Sequence, residues 1–248
     1  MSEDAALREG ALILLEAGVP DPQREARILW RAAADEAAYF ENIAERAKRR
    51  PMSHILGYRD FYKHRFIVTP DVLDPRPDTE TLIEAALQVP FARVLDLGTG
   101  SGCILLSLLA ERGDAKGIGT DVSGPALAVA RRNAEALELH TRADLLISNW
   151  YAAVDGQFDL IVSNPPYVAF DEMDDLQPEV RLFEPFSALT DGADGLSAYR
   201  VIIAGAPAHL RDGGSLIVEI GPTQGQAVQQ MIRDLGLDEA PSDPSQRS

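Results

Sequence analysis

Only one cysteine, Cys103, occurs in 248 residues, which excludes a disulfide-built scaffold and fits a reducing compartment. No apolar run is long enough to span a bilayer. Residues 1–10 carry acids and lack the apolar core of a secretory leader, so the expected location is cytoplasmic, away from membranes. Bases are scarce as well: 23 Lys and Arg stand against 39 Asp and Glu, a net charge of −16. A protein that grips nucleic acid through phosphates normally presents a basic face. The small basic run Lys48-Arg49-Arg50 is no substitute for one, so dedicated nucleic-acid binding is not expected. A polypeptide or partly basic partner suits this charge better. His54, His64, His140 and His209 have no Cys or acid at metal-ligand spacing, so no metal is expected.

What is present supports a substantial core, since 46% of the residues are hydrophobic. Residues 5–17, 25–34 and 37–50 read as three helices, the first with Leu7, Ala11, Leu14 and Leu15 on one face. Pro51 should stop the third. Residues 1–50 are therefore expected to form a small helical domain, with Trp30 in its core. Tyr58, Phe61, Tyr62 and Phe66 suggest a hairpin within residues 55–68. Together with a Pro- and Asp-rich loop over 72–79, it forms a connector over residues 51–78. From 79 to 248 the pattern alternates: helix 79–88, strand 93–97, helix 103–112, strand 117–121, helix 126–136, strands 143–148 and 158–163, helix 199–209, strand 215–220, helix 223–235. That alternation predicts an α/β fold with a doubly wound, mainly parallel sheet. The polar residues 241–248 should fray, and the acids of 171–175 read as a solvated lid segment. Cys103, on the first turn of an apolar helix, reads as core.

Two short stretches carry chemistry. The first is a strand ending in Asp96, followed by Gly98-Thr99-Gly100-Ser101-Gly102 and a helix. Glycines there let backbone approach a ligand closely, at the place where such sheets bind nucleotides. The spacing differs from the Gly-x-Gly-x-x-Gly of dinucleotide binders. Asp96 would repel a pyrophosphate but suits a cofactor bearing an ammonium and a sulfonium. The reading is therefore S-adenosylmethionine, with Asp121, at the end of the next strand, accepting from the ribose hydroxyls.

The second stretch is Asn164-Pro165-Pro166-Tyr167, after an apolar strand. Two prolines remove two N–H donors and fix φ. The Asn164 oxygen and the Pro165 carbonyl then offer two acceptors at a fixed spacing, a match for an NH2 group. Tyr167 offers a flat face for a planar amide or base. An amide nitrogen is a poor nucleophile because its lone pair is delocalised. Holding both its protons directs that lone pair at a methyl donor, and orientation supplies most of the acceleration.

These segments resemble the release-factor glutamine N5-methyltransferases over residues 50–226. The resemblance rests on residues 51–66, on 72–80 (VLDPRPDTE), on the 96–102 turn, on 164–167, and on Glu219-Ile220-Gly221 with Gln224. Arg76-Pro77-Asp78-Thr79-Glu80 separates this family from the DNA adenine methyltransferases that share Asn-Pro-Pro-Tyr. The resemblance implies a Rossmann-like class I methyltransferase fold. It implies that residues 98–102 hold the methionine part of the cofactor, Asp121 the ribose, and that Trp150 packs on adenine. It implies that Asn164 touches cofactor and substrate, while Pro165, Pro166 and Tyr167 complete a glutamine pocket. The partner would be a peptide-chain release factor, methylated at the glutamine of Gly-Gly-Gln by a monomeric enzyme whose front helices dock the substrate. Asn149 stands where the family often has an acid, and Asp74 where isoleucine is common. The competing readings are a DNA or RNA adenine N6-methyltransferase and a non-catalytic cofactor-binding subunit.

Overall fold

The computed structural model describes residues 1–236. Three helices lead: α1 (Glu3–Glu16), α2 (Pro22–Ala32) and α3 (Glu36–Ala47). Ser2 and Asp35 cap α1 and α3 by accepting from the N–H groups of Ala5 and Ala38. Acids fill both first turns, where the helix dipole favours negative charge. Pro22 opens α2, where its missing N–H costs nothing. The helices close on their own apolar cluster, with Leu14, Leu29, Tyr39 and Ile43 essentially inaccessible. Trp30 packs edge-on to Tyr39, ring centroids 5.0 Å apart.

Pro51 does more than stop a helix. It is the cap of a short one, α4 (Met52–Leu56), whose five residues are too few for helical periodicity to show in the sequence. The hairpin follows as β1 (Tyr58–Phe61) and β2 (His64–Ile67), antiparallel. A loop then leads to α5 (Thr79–Leu87). The basic run is not a free patch: Lys48 and Arg50 pair with Glu45, and Arg49 with Glu179.

The remaining elements are β3 (Arg93–Leu97), α6 (Cys103–Glu111), β4 (Lys116–Asp121), α7 (Gly124–Ala136), β5 (Ala143–Ile147), β6 (Phe158–Ser163), α8 (Pro178–Phe183), α9 (Phe186–Leu189), α10 (Ser197–His209), β7 (Leu210–Val218) and α11 (Gly225–Asp234). The sheet order is β5-β4-β3-β6-β7, and every pair is parallel. Strand alternation sorts the core between the two faces. Val94, Leu160 and Val162 join the cluster containing α6, while Leu95, Leu97 and Ile161 join the one containing α10. Each such burial contributes about 1.5–3 kcal/mol. β7 begins at Leu210, earlier than the predicted 215, because the chain passes directly from α10 into the strand despite Gly213 and Gly214. The short helices α8 and α9 were not foreseen. The acids of 171–175 form a 3-10 turn (Phe170–Asp175) with no buried residue. The predicted frayed tail lies outside the described residues.

Register determines what meets at the end of the sheet. Leu97 pairs with Thr120, Asp96 with Val162, and Ser163 with Val218. One residue further along, Asp121, Gly98, Asn164 and Glu219 lie side by side at the carboxyl ends of β4, β3, β6 and β7. Neighbouring strands are about 4.8 Å apart, so these four residues span a single crevice. It lies across the switch point, where the chain leaves β3 on one side through β4 and returns on the other through β6.

Candidate active site

The glycine turn has the backbone that its residues suggest. Gly98, Gly100 and Gly102 have φ of +73°, +54° and +81°, a region where a side chain is strained. The N–H groups of Gly98 and Thr99 both donate to the Thr120 carbonyl at 2.8 Å. Asp121 closes the turn from the next strand: its two carboxylate oxygens accept from the Gly100 and Ser123 N–H groups, each at 2.9 Å. It therefore shapes the turn, and its remaining lone pairs are free for hydroxyl donors.

Asp96 lies fully buried beneath the turn. One of its oxygens accepts from the Thr99 hydroxyl at 2.6 Å and the other has no partner. Burial pushes its pKa up to about 7, against the lowering effect of Thr99. Ser101 is buried and lends its carbonyl to Asn133 at 2.9 Å. Trp150 is half-buried with φ of +52°, and the Ser148 hydroxyl donates to its carbonyl at 2.8 Å. It stands over Gly98, where an added Cβ would lie 3.8 Å from its ring.

Asn164 turns its amide nitrogen to the Thr79 hydroxyl at 3.1 Å, and its side-chain oxygen is buried without a partner. Pro165 is buried and Pro166 half-buried. Burial raises the pKa of the Tyr167 phenol, helped by the negative charge of Glu219. The Tyr167 carbonyl is held by Gln224, whose amide nitrogen reaches it at 2.8 Å while its oxygen accepts from the Gly221 N–H. Arg76 places one guanidinium nitrogen 2.6 and 2.7 Å from the two oxygens of Glu184. This pins the 72–80 loop to the segment after Tyr167. Burial pushes Glu184 up to about 7, with Arg76 opposing.

The structure thus brings Gly98 to Gly102, Asp121, Trp150 and Asn164 to Tyr167 to one end of the sheet. Asp96 reaches that place only through Thr99. Three contributors carried no signal of their own. Asn133 sits in an alanine-rich helix, yet its side chain pairs with both backbone groups of Ile67 and with Ser101. Thr79 and Glu219 flank Asn164, and only the resemblance drew attention to their segments. Cys103 is buried and its thiol is pushed up to about 12 by that burial, as suits a core residue. Among the described residues no group of three His, Cys, Asp or Glu could hold a metal ion. Among them, too, no helix is long and apolar enough to cross a membrane.

The residues fit a small cationic nucleoside. A close-approach glycine turn lies beside the strand-end carboxylate of Asp121, and an indole stands over the turn. With an unpaired amide oxygen a strand away, the arrangement is that of a class I methyltransferase dependent on S-adenosylmethionine. The fold agrees with a solved methyltransferase from Pyrococcus furiosus, with a TM-score of 0.53 and 20% identity over 69% of this chain and 77% of that one. The model of the methyltransferase small domain matches residues 69–180. The release factor glutamine methyltransferase of Cereibacter sphaeroides is 54% identical over 94% of this chain and 85% of its own length. That of Rhodospirillum rubrum is 46% identical over 93% and 78%. The chain belongs to the release factor glutamine methyltransferase family.

Proposed function

We propose that the protein transfers a methyl group from S-adenosylmethionine to the side-chain amide nitrogen of the glutamine in the Gly-Gly-Gln motif of peptide-chain release factors. The observation that carries this reading is the buried, unpartnered Asn164 oxygen at the strand end beside the glycine turn. A buried acceptor left unpaired costs about 1–3 kcal/mol, so the site is built to receive a donor. S-adenosylmethionine supplies an electrophilic methyl group on a sulfonium, an excellent leaving group. The chain's own residues hold and orient the nucleophile. Asn164 accepts one N–H of the glutamine amide, the Pro165 carbonyl accepts the other, and Tyr167 covers the amide plane. The helices of residues 1–50 dock the body of the protein substrate. The enzyme acts as a monomer in the cytoplasm and needs no nucleic acid, which its charge of −16 supports.

Asn164→Ala tests the chemistry. Lost orientation costs on the order of 10²-fold, and the missing hydrogen bond adds a loss of about 5-fold or more. Single-turnover methylation of a purified release factor should slow by several hundredfold, with the fold intact by circular dichroism. Alanine at the wild-type rate would remove this tetrapeptide from the chemical site.

A further inference from the structure

An asparagine amide can face either way. The two faces differ completely here, because an NH2 presented to the substrate NH2 would repel it. Something must hold the oxygen toward the substrate. On its other side Asn164 donates to the Thr79 hydroxyl at 3.1 Å. Thr79 is buried, and its oxygen is occupied by that bond, so its own proton needs an acceptor. The carboxylate of Glu219 lies beside it. Register sets Glu219 next to Asn164 at the end of the adjoining strand. Burial raises the pKa of its carboxyl, and the nearby Thr79 hydroxyl and Asn164 amide oppose that by favouring the ionised form. One Glu219 oxygen is buried without a partner. The Glu219 backbone is anchored on both sides: its N–H donates to Ser163 at 3.0 Å, and its carbonyl accepts from Tyr199 at 2.9 Å.

We infer that Thr79 and Glu219 are positioning residues that set the direction of the Asn164 amide: Asn164 N–H donates to Thr79, Thr79 O–H donates to the Glu219 carboxylate, and the Asn164 oxygen is left facing the substrate. The relay has one polarity. An ionised carboxylate can only accept, so the hydroxyl proton points to it and the hydroxyl lone pairs point to Asn164. The flipped amide would place its oxygen against the carboxylate and leave its N–H groups in the substrate's place. Asn164 alone cannot enforce this, because each orientation by itself satisfies an amide equally. The role also gives a task to the side chains of Thr79 and Glu219, which nothing else in the site uses.

The inference rests on Asn164 being the substrate's acceptor, so its test includes Asn164→Ala. Thr79→Val keeps the shape and removes the hydroxyl, Thr79→Ser keeps the hydroxyl, and Glu219→Leu removes the acceptor. A hydrogen bond to a charged group is worth roughly tenfold or more in an equilibrium. Thr79→Val should therefore lower kcat for release-factor methylation by about tenfold or more, with KM and cofactor affinity unchanged. Thr79→Ser should restore kcat. Combining Thr79→Val with Glu219→Leu should cost little beyond either alone, since both break one relay. Thr79→Val at wild-type kcat, failure of serine to rescue, or losses that multiply in the double variant would overturn the relay. If Asn164→Ala also retained full activity, the reading of the tetrapeptide would fall with it. If Asn164→Ala is inactive while Thr79→Val is normal, only the relay fails.

Discussion

Replacing Asn133 by alanine should damage the protein far more than its place in an unremarkable helical run suggests. Its side chain is inaccessible and joins three parts of the molecule. Its oxygen accepts from the Ile67 N–H at 2.7 Å, and its nitrogen donates to the Ile67 carbonyl at 3.1 Å and to the Ser101 carbonyl at 2.9 Å. Strand β2, helix α7 and the glycine turn are thereby tied at one point. Alanine orphans all three backbone groups. Each buried orphan costs about 1–3 kcal/mol. Ile67 is only half-buried and water can reach part of the gap, so a total of about 3–5 kcal/mol is expected. That is a large fraction of the roughly 5–15 kcal/mol that holds a typical domain together. Asn133→Asp separates the two sides of the interaction: its first oxygen still accepts from Ile67, but the second faces two carbonyls. It can satisfy one of them only when protonated, so the aspartate variant should be worse at pH 8 than at pH 5. Urea unfolding of the cofactor-free protein measures both effects. Calorimetry should show weaker cofactor binding, because Ser101 belongs to the turn. An alanine variant within about 1 kcal/mol of wild type, well below the cost of two orphaned groups, would refute the reasoning.

Two further expectations concern the acids of the site. Asp121→Ala removes one charge-assisted bond to the turn, from Gly100, and one to the start of α7, from Ser123, each worth about 1.5–3 kcal/mol, together with the proposed ribose acceptor. Cofactor affinity should fall at least about tenfold in calorimetry, and unchanged affinity would take Asp121 out of the site. Burial raises Asp96 from 3.8 to about 7, so between those values the folded protein binds the proton and the unfolded chain releases it. Its contribution to the stability of the cofactor-free protein is full below 3.8 and is lost as pH rises through about 7. Asp96→Asn should flatten that part of the profile of Tm against pH; parallel profiles would show that Asp96 is not buried as a neutral acid.

The parts of the molecule legible in the sequence were those with repeated or steric signatures. Strands β3 and β6 are short apolar runs bounded by turn residues, and the structure places them at 93–97 and 158–163 as read. The glycines at 98, 100 and 102 predicted a turn that side chains could not make, and all three have positive φ. The short helices α4, α8 and α9 escaped because four to six residues do not display a helical period. Glycines 213 and 214 hid the start of β7 by resembling a loop. The site was half legible: one-dimensional spacing exposed the glycine turn and the proline pair. Asn133, Thr79 and Glu219 act through contacts made only when α7 meets β2 and the glycine turn, and when α5 meets the ends of β6 and β7, and no local pattern announces them. Lys48, Arg49 and Arg50 show the converse, a basic run in sequence whose charges are matched by Glu45 and Glu179 in space.

The most direct test is to incubate the protein with labelled S-adenosylmethionine and a purified peptide-chain release factor, then map the label by peptide mass spectrometry. One methyl group on the side-chain nitrogen of the glutamine in Gly-Gly-Gln, abolished when that glutamine is replaced, is the expected result. Label on another residue, or an intact release factor left unmodified while DNA or RNA adenine is methylated, would contradict it.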